Sequence, residues 1–113
     1  MIDVLIYTNM DEQYVGFRTK GHAEYAEHGQ DVVCAAVSIL VENAINSIET
    51  FAQDDFQCEI QEKKGAVIYE ITSRPISTTA QLLLKSLVLG LKGIEDQYGK
   101  KYLKVHFKKK QEV

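Results

Sequence analysis

The sequence predicts a single α+β domain of order ββαββαβ, a mainly antiparallel sheet with two helices packed on one face. Three observations predict it. A chain of 113 residues fits one core, on the usual allowance of about 100–200 residues per domain. Two pairs of alternating apolar and polar segments, each pair joined by a short polar turn, read as hairpins. Each hairpin is followed by a long stretch with apolar residues at three- and four-residue spacing, the period of a helix with one buried face.

In chain order, Ile2, Val4 and Ile6 alternate with Asp3, Leu5 and Tyr7 in a first strand over 2–8. The turn Asn9 to Gln13 leads to a second strand over 14–20. Gly21 to Gln30 has glycines near both ends and no apolar period, which marks a loop. From Asp31 to about Ala52, Val33, Ala36, Val37, Leu40, Ala44 and Ile48 recur at helical spacing without an interior Gly or Pro. Asp31 suits the N-cap, because a carboxylate there accepts bonds from first-turn amides and meets the positive end of the dipole. Residues 56–64 and 66–73 predict a second hairpin about Lys63, Lys64 and Gly65, with Cys58, Ile60, Val67, Tyr69 and Ile71 on apolar positions. Pro75 ends it. Thr78 and Gln81 fit a capping box, and Leu82, Leu83, Leu87, Leu91 and Ile94 carry a second helix to Tyr98, with Gly99 as its stop. A last strand is expected over 101–107.

Composition is that of a packed chain: 45% hydrophobic, 26% charged, seven Gly and one Pro, which argues against disorder and low complexity. No apolar run approaches the roughly 18 residues of a membrane crossing, and the N-terminal segment does not read as a secretion signal, so a cytoplasmic protein is expected. Two cysteines, Cys34 and Cys58, are too few for a disulfide framework. Residues 1–60 carry 11 acids against Arg18 and Lys20, a balance of −9, and residues 61–113 carry 11 bases against five acids, a balance of +6. Interleaving of the two halves in space makes that split a weak pointer to any partner.

The candidate site is the glycine-flanked loop with the start of the helix that follows. With Asp31 as cap, Cys34 is the third helical residue, inside the turn whose amides and dipole favour a thiolate. His22 is near enough in sequence to fold over the helix end, which makes Cys and His a nucleophile with its base. First-turn amides then suit an oxyanion. Ser38 follows Cys34 by one turn on the same face. Each residue also has a plainer reading: Cys34 as a small buried hydrophobe, His22 as a loop histidine, Asp31 as only a cap, Ser38 as packing. Cys58 is most simply core, and His28 and His106 surface or strand residues. His22, His28 and Cys34 with Glu24 or Glu27 also make a zinc set, though without the close ligand pairs of structural sites. Lys100, Lys101, Lys104 and Lys108 to Lys110 with Tyr102 and Phe107 suggest a nucleic-acid stripe, against the plainer reading of a protected sheet edge.

The run GHAEYAEHGQDVVCAAVSIL, with G-H-A and then D-V-V-C-A-A-V-S after eight residues, resembles the ribosomal-processing cysteine protease family Prp. The resemblance implies a bacterial endopeptidase that removes the N-terminal extension of large-subunit ribosomal protein twenty-seven, cutting after an aromatic residue and permitting ribosome assembly. It implies Cys34 as nucleophile, His22 as its partner, and Gly21, Asp31 and Ser38 near the site. It further implies a homodimer, no cofactor or metal, and a ribosomal protein precursor, not a nucleic acid or a membrane, as partner. Two hypotheses attach to the loop: that it closes over a docked peptide, and that Glu24, Glu27 and Asp31 steer a basic substrate. The alternative is a non-catalytic ribosome-associated module that binds RNA or protein through the lysine-rich last strand.

Overall fold

Strand β1 (Ile2–Thr8) buries Ile2, Val4 and Ile6 and turns Asp3, Leu5 and Tyr7 to the opposite face, as its alternation requires. In a computed structural model the described residues are 1–21 and 28–111, with the side chains of 28–31 outside the description. Strand β2 (Tyr14–Lys20) returns antiparallel to β1, with Phe17 opposite Ile6. The turn between them is held by Asn9, whose Oδ1 accepts from the amides of Asp11 and Gln13, both at 2.9 Å.

Helix α1 (His28–Phe51) is followed by β3 (Phe56–Gln61), a 3₁₀ turn (Glu62–Lys64), β4 (Ala66–Ile71), helix α2 (Thr78–Tyr98) and β5 (Leu103–Lys109). The five strands lie in the order β3-β4-β2-β1-β5. Three pairs are antiparallel, and β5 joins β1 in parallel, Val4 beside Val105. The expected order ββαββαβ and mainly antiparallel sheet are therefore observed. Val4, Ile6, Val15, Phe17, Tyr69, Ile71 and Leu103 share one core with Val33, Val37, Val41, Ala44 and Ile48 of α1 and Leu84, Leu87 and Leu91 of α2.

Val32–Phe51 is long and apolar enough, by length and composition, to cross a bilayer. Its apolar stripe is instead used on the sheet, where burial of each Val or Ile contributes roughly 1.5–3 kcal/mol. Where α1 approaches α2, Gly90 leaves room for Leu40; a Cβ there would lie 2.9 Å from Leu40 Cδ1.

Several boundaries and contacts differ from the sequence reading. Helix α1 begins at His28, not at Asp31, so Asp31 is not its N-cap. Once the buried stripe has nucleated a helix, each further residue gains a hydrogen bond at little cost, and Gly29 in the first turn does not stop it. At α2, Ser77 is the cap and its Oγ accepts from the Ala80 amide at 3.0 Å, while Asp54 accepts from the Ser77 hydroxyl. Gln81 is not part of a capping box: its side chain bonds the backbone N–H and C=O of Tyr14, both at 2.7 Å, tying α2 to β2. Leu82 is exposed and Leu84 takes the buried position. Cys58 and Ile60 are exposed as well, because β3 is an edge strand; core was the expectation for Cys58, and an apolar position for Ile60.

Tyr69 lies at the centre of the core, its ring 5.4 Å from that of Phe17 and 5.2 Å from that of Phe56. Its buried hydroxyl has no hydrogen-bond partner among the described residues. Burial, and then the negative charge of Cys58, Asp54 and Glu49, pushes its phenol far above the ordinary range. The unfolded phenol ionises near pH 10 while the folded one keeps its proton. This group's stabilisation is thus complete below pH ~10 and is lost as pH rises further. Tyr69→Phe should raise stability by about 1 kcal/mol at pH 7, since an unsatisfied buried hydroxyl is removed. It should also flatten the alkaline decline by up to about 1.4 kcal/mol per pH unit above ~10. Urea unfolding at pH 7 and at pH 11 checks both; equal pH dependence in the two proteins would contradict the assignment.

Candidate active site

Rotation of α1 about its own axis decides what faces the end of the sheet. Because Val33, Val37 and Val41 point into the core, Cys34, Ser38 and Glu42, four residues apart, form a row along one flank of the buried stripe. Cys34 is half-buried, and Ser38 and Glu42 are exposed. That row makes one wall of a cleft of about 210 Å³, and Val37 and Val41 lie at its base. The opposite wall comes from the sheet: Ile2 at the start of β1, Thr19 and Gly21 at the end of β2, and Gly65 and Val67 where β4 begins.

Backbone contacts hold the sheet wall. The Gly21 amide donates to the Gly65 carbonyl at 3.2 Å, and the Ile2 amide donates to the Tyr102 carbonyl at 2.9 Å. Gly21 has φ +115°, and a Cβ on it would lie 2.4 Å from the Met1 carbonyl oxygen. Both the dihedral and the approach require glycine. Gly65, with φ 60°, caps the 3₁₀ turn in the left-handed region.

Of the sequence-predicted site residues, the structure brings Gly21, Cys34 and Ser38 to one cleft. His22 lies outside the described residues, and so does the side chain of Asp31. The start of α1 at His28 also overturns the place given to Cys34. It is the seventh helical residue, not the third, roughly 9 Å along the axis from the first at about 1.5 Å per residue. The unpaired amides and the dipole act within the first turn, so they do not supply an activated thiolate or an oxyanion site at Cys34. What the helix supplies is direction: the thiol faces the sheet wall. The zinc set rests on His22, His28 and acids outside the description, and the described residues hold no cluster of three His, Cys, Asp or Glu.

Thr19, Glu42, Gly65 and Val67 were not read from the sequence as site residues. Glu42 had a signal, two turns after Cys34 on the same flank; Thr19 and Val67 are partners across the β2–β4 pair, which only the strand register reveals. Cys58 sits elsewhere, exposed on β3, and desolvation pushes its thiol up.

The sequence profile of the family described as cysteine protease Prp matches residues 1–104. The chain belongs to that family. The ribosomal processing cysteine protease Prp of Bacillus subtilis (strain 168) is 34% identical over 101 residues, covering 87% of this chain and 90% of that protein. The Prp of Staphylococcus aureus (strain Mu50 / ATCC 700699) is 28% identical, covering 87% and 92%. Among solved structures, the essential ribosomal processing protease Prp of S. aureus with a covalently linked product peptide superposes with a TM-score of 0.84. It is 25% identical and covers 96% of this chain and all of that one. The same protease with a substrate peptide gives a TM-score of 0.86 at 24% identity, covering 96% and 100%, and shares the fold. Membership in this family makes Cys34, on the cleft, the cysteine to examine.

Gly21→Ala should lower stability by about 1–3 kcal/mol, the range for a residue held in a disfavoured region, with the clash against Met1 added. Gly99→Ala is the control, since Gly99 has φ +98° but no atom within 4 Å of the added Cβ. Urea midpoints should fall further for Gly21→Ala than for Gly99→Ala, and equal shifts would contradict the close packing of Gly21 against Met1 in the sheet wall.

Proposed function

We propose that this protein is a cysteine endopeptidase that removes the N-terminal extension from the precursor of large-subunit ribosomal protein twenty-seven, cutting after an aromatic residue. Cys34 is the nucleophile and His22 its base in this reading. One observation carries it: Cys34 and Gly21 line the same cleft, and His22 is the next residue after Gly21 in the chain. An imidazole attached there is within a loop's reach of the sulfur. The imidazole is the group assigned in this reading to take the thiol proton.

The steps follow from these roles. His22 accepts the Cys34 proton, and the sulfur attacks the scissile carbonyl carbon to give a tetrahedral intermediate. Its collapse breaks the C–N bond, with the proton passing from His22 to the leaving amine. Water then adds to the thioester with His22 again as base, releasing the removed extension as a carboxylate and restoring the thiol. Ser38, one turn beyond Cys34, offers a hydroxyl to the bound peptide. The protein acts in the cytoplasm, as a homodimer and without a cofactor.

The names and peptide-bound structures of the relatives support a peptide substrate. Incubation with the extended ribosomal protein, followed by mass measurement, tests the reading: one cut after an aromatic residue is expected. Cys34→Ala should abolish it, and His22→Ala should slow it by about 10²–10⁴-fold, the usual contribution of a positioned acid–base group. Either variant cleaving at the normal rate would defeat the assignment. Iodoacetamide near neutral pH should label Cys34 before Cys58, whose raised thiol pKa leaves less thiolate; the reverse order would place the reactive sulfur elsewhere.

A further inference from the structure

We infer that Glu42 is a specificity-determining residue that selects peptide substrates carrying a Lys or Arg three or four residues from the scissile bond. This rests on the protease reading of the Cys34 cleft and adds to it the charge of one substrate position. Glu42 is the one charged side chain lining that cleft among the described residues, the other lining residues being apolar, glycine, or the neutral Thr19, Ser38 and Cys34. No hydrogen bond or ion pair engages its carboxylate among the described residues. The charge therefore faces the groove with no partner among the described residues to neutralise it.

Its distance from the reacting sulfur follows from helix geometry. Eight residues separate Cys34 from Glu42 on one flank, a rise of about 12 Å at ~1.5 Å per residue. An extended peptide advances roughly 3.3 Å per residue, so for a peptide lying along α1 the carboxylate stands three to four residues from the bond under attack. Val37, Val41 and, on the facing wall, Ile2 and Val67 line the same cleft, a surface that takes apolar side chains. The peptide class that fits is an apolar segment beside the cleaved bond followed by a basic residue. An acidic residue there would meet Glu42 directly.

The test uses the full chain and three peptides identical except for Lys, Gln or Glu at the third or fourth residue, in one series on each side of the cleaved bond. In one of the series the wild-type enzyme should show kcat/KM about fivefold higher for Lys than for Glu, the upper range for a solvent-facing ion pair. The preference should vanish in Glu42→Gln, invert in Glu42→Lys, and shrink near 1 M salt, where the screening length is about 3 Å. An equal preference in all three enzymes, or none at either side, would overturn this inference while the protease reading stands. Failure of the wild type to cut any of the peptides, or the extended ribosomal protein, would overturn both. Glu42 is exposed, so wild-type melting is expected of both variants, and thermal unfolding verifies that a lost preference reports on recognition.

Discussion

The row of Val33, Val37, Val41, Ala44 and Ile48 packed on the sheet is the constraint on which the site depends. A helix with five buried positions along one stripe cannot rotate without exposing several of them, at roughly 1.5–3 kcal/mol for each large side chain. Fixing the stripe fixes its flanks. Cys34, Ser38 and Glu42 must then face the ends of β1, β2 and β4, and the Cys34 thiol is aimed by core packing. On the facing side the same economy holds: Gly21 and Gly65 bring two backbones within hydrogen-bond distance, closing the sheet wall without side chains.

This arrangement changes where activation of the thiol comes from. A cysteine in a first helical turn draws on free amides and the dipole, but with α1 starting at His28 those donors lie a turn and more from Cys34. Helix and sheet supply placement and a groove. In the proposed reading the proton acceptor comes from another segment, and the chain that leaves the cleft at Gly21 continues to His22. Division of labour of this kind, rigid elements for position and a loop for chemistry, agrees with the general use of loops on a stable scaffold.

Much of the fold is legible in the sequence because its signals are local. The alternation of Ile2, Val4 and Ile6, the polar turn at Asn9 and the periodicity of α1 each arise from a handful of neighbouring residues, and β1 and β2 have the expected bounds. What was not legible depends on distant partners. Cys58 and Ile60 alternate like core residues, yet their strand is at the sheet edge. Gln81 has the spacing of a capping box, but a bond to Tyr14, 67 residues away in sequence, takes its side chain. Gly29 looks like a loop glycine until the helix behind it propagates through. At the site, Gly21, Cys34 and Ser38 are legible from spacing and family resemblance. Thr19 and Val67 needed the strand register, and Glu42 read from sequence is only one more carboxylate on a solvated helix face.

The central claim, that a peptide lies between the Cys34 flank of α1 and the ends of β1, β2 and β4, has a direct measurement. Amide NMR shifts of the Cys34→Ala protein, titrated with the peptide spanning the processing site, report the docking surface without turnover. The account predicts the largest shifts at Ile2, Thr19, Gly21, Ser38, Glu42, Gly65 and Val67. Shifts confined to the lysine-rich β5 edge around Lys104 and Lys108, with the cleft unmoved, would contradict it.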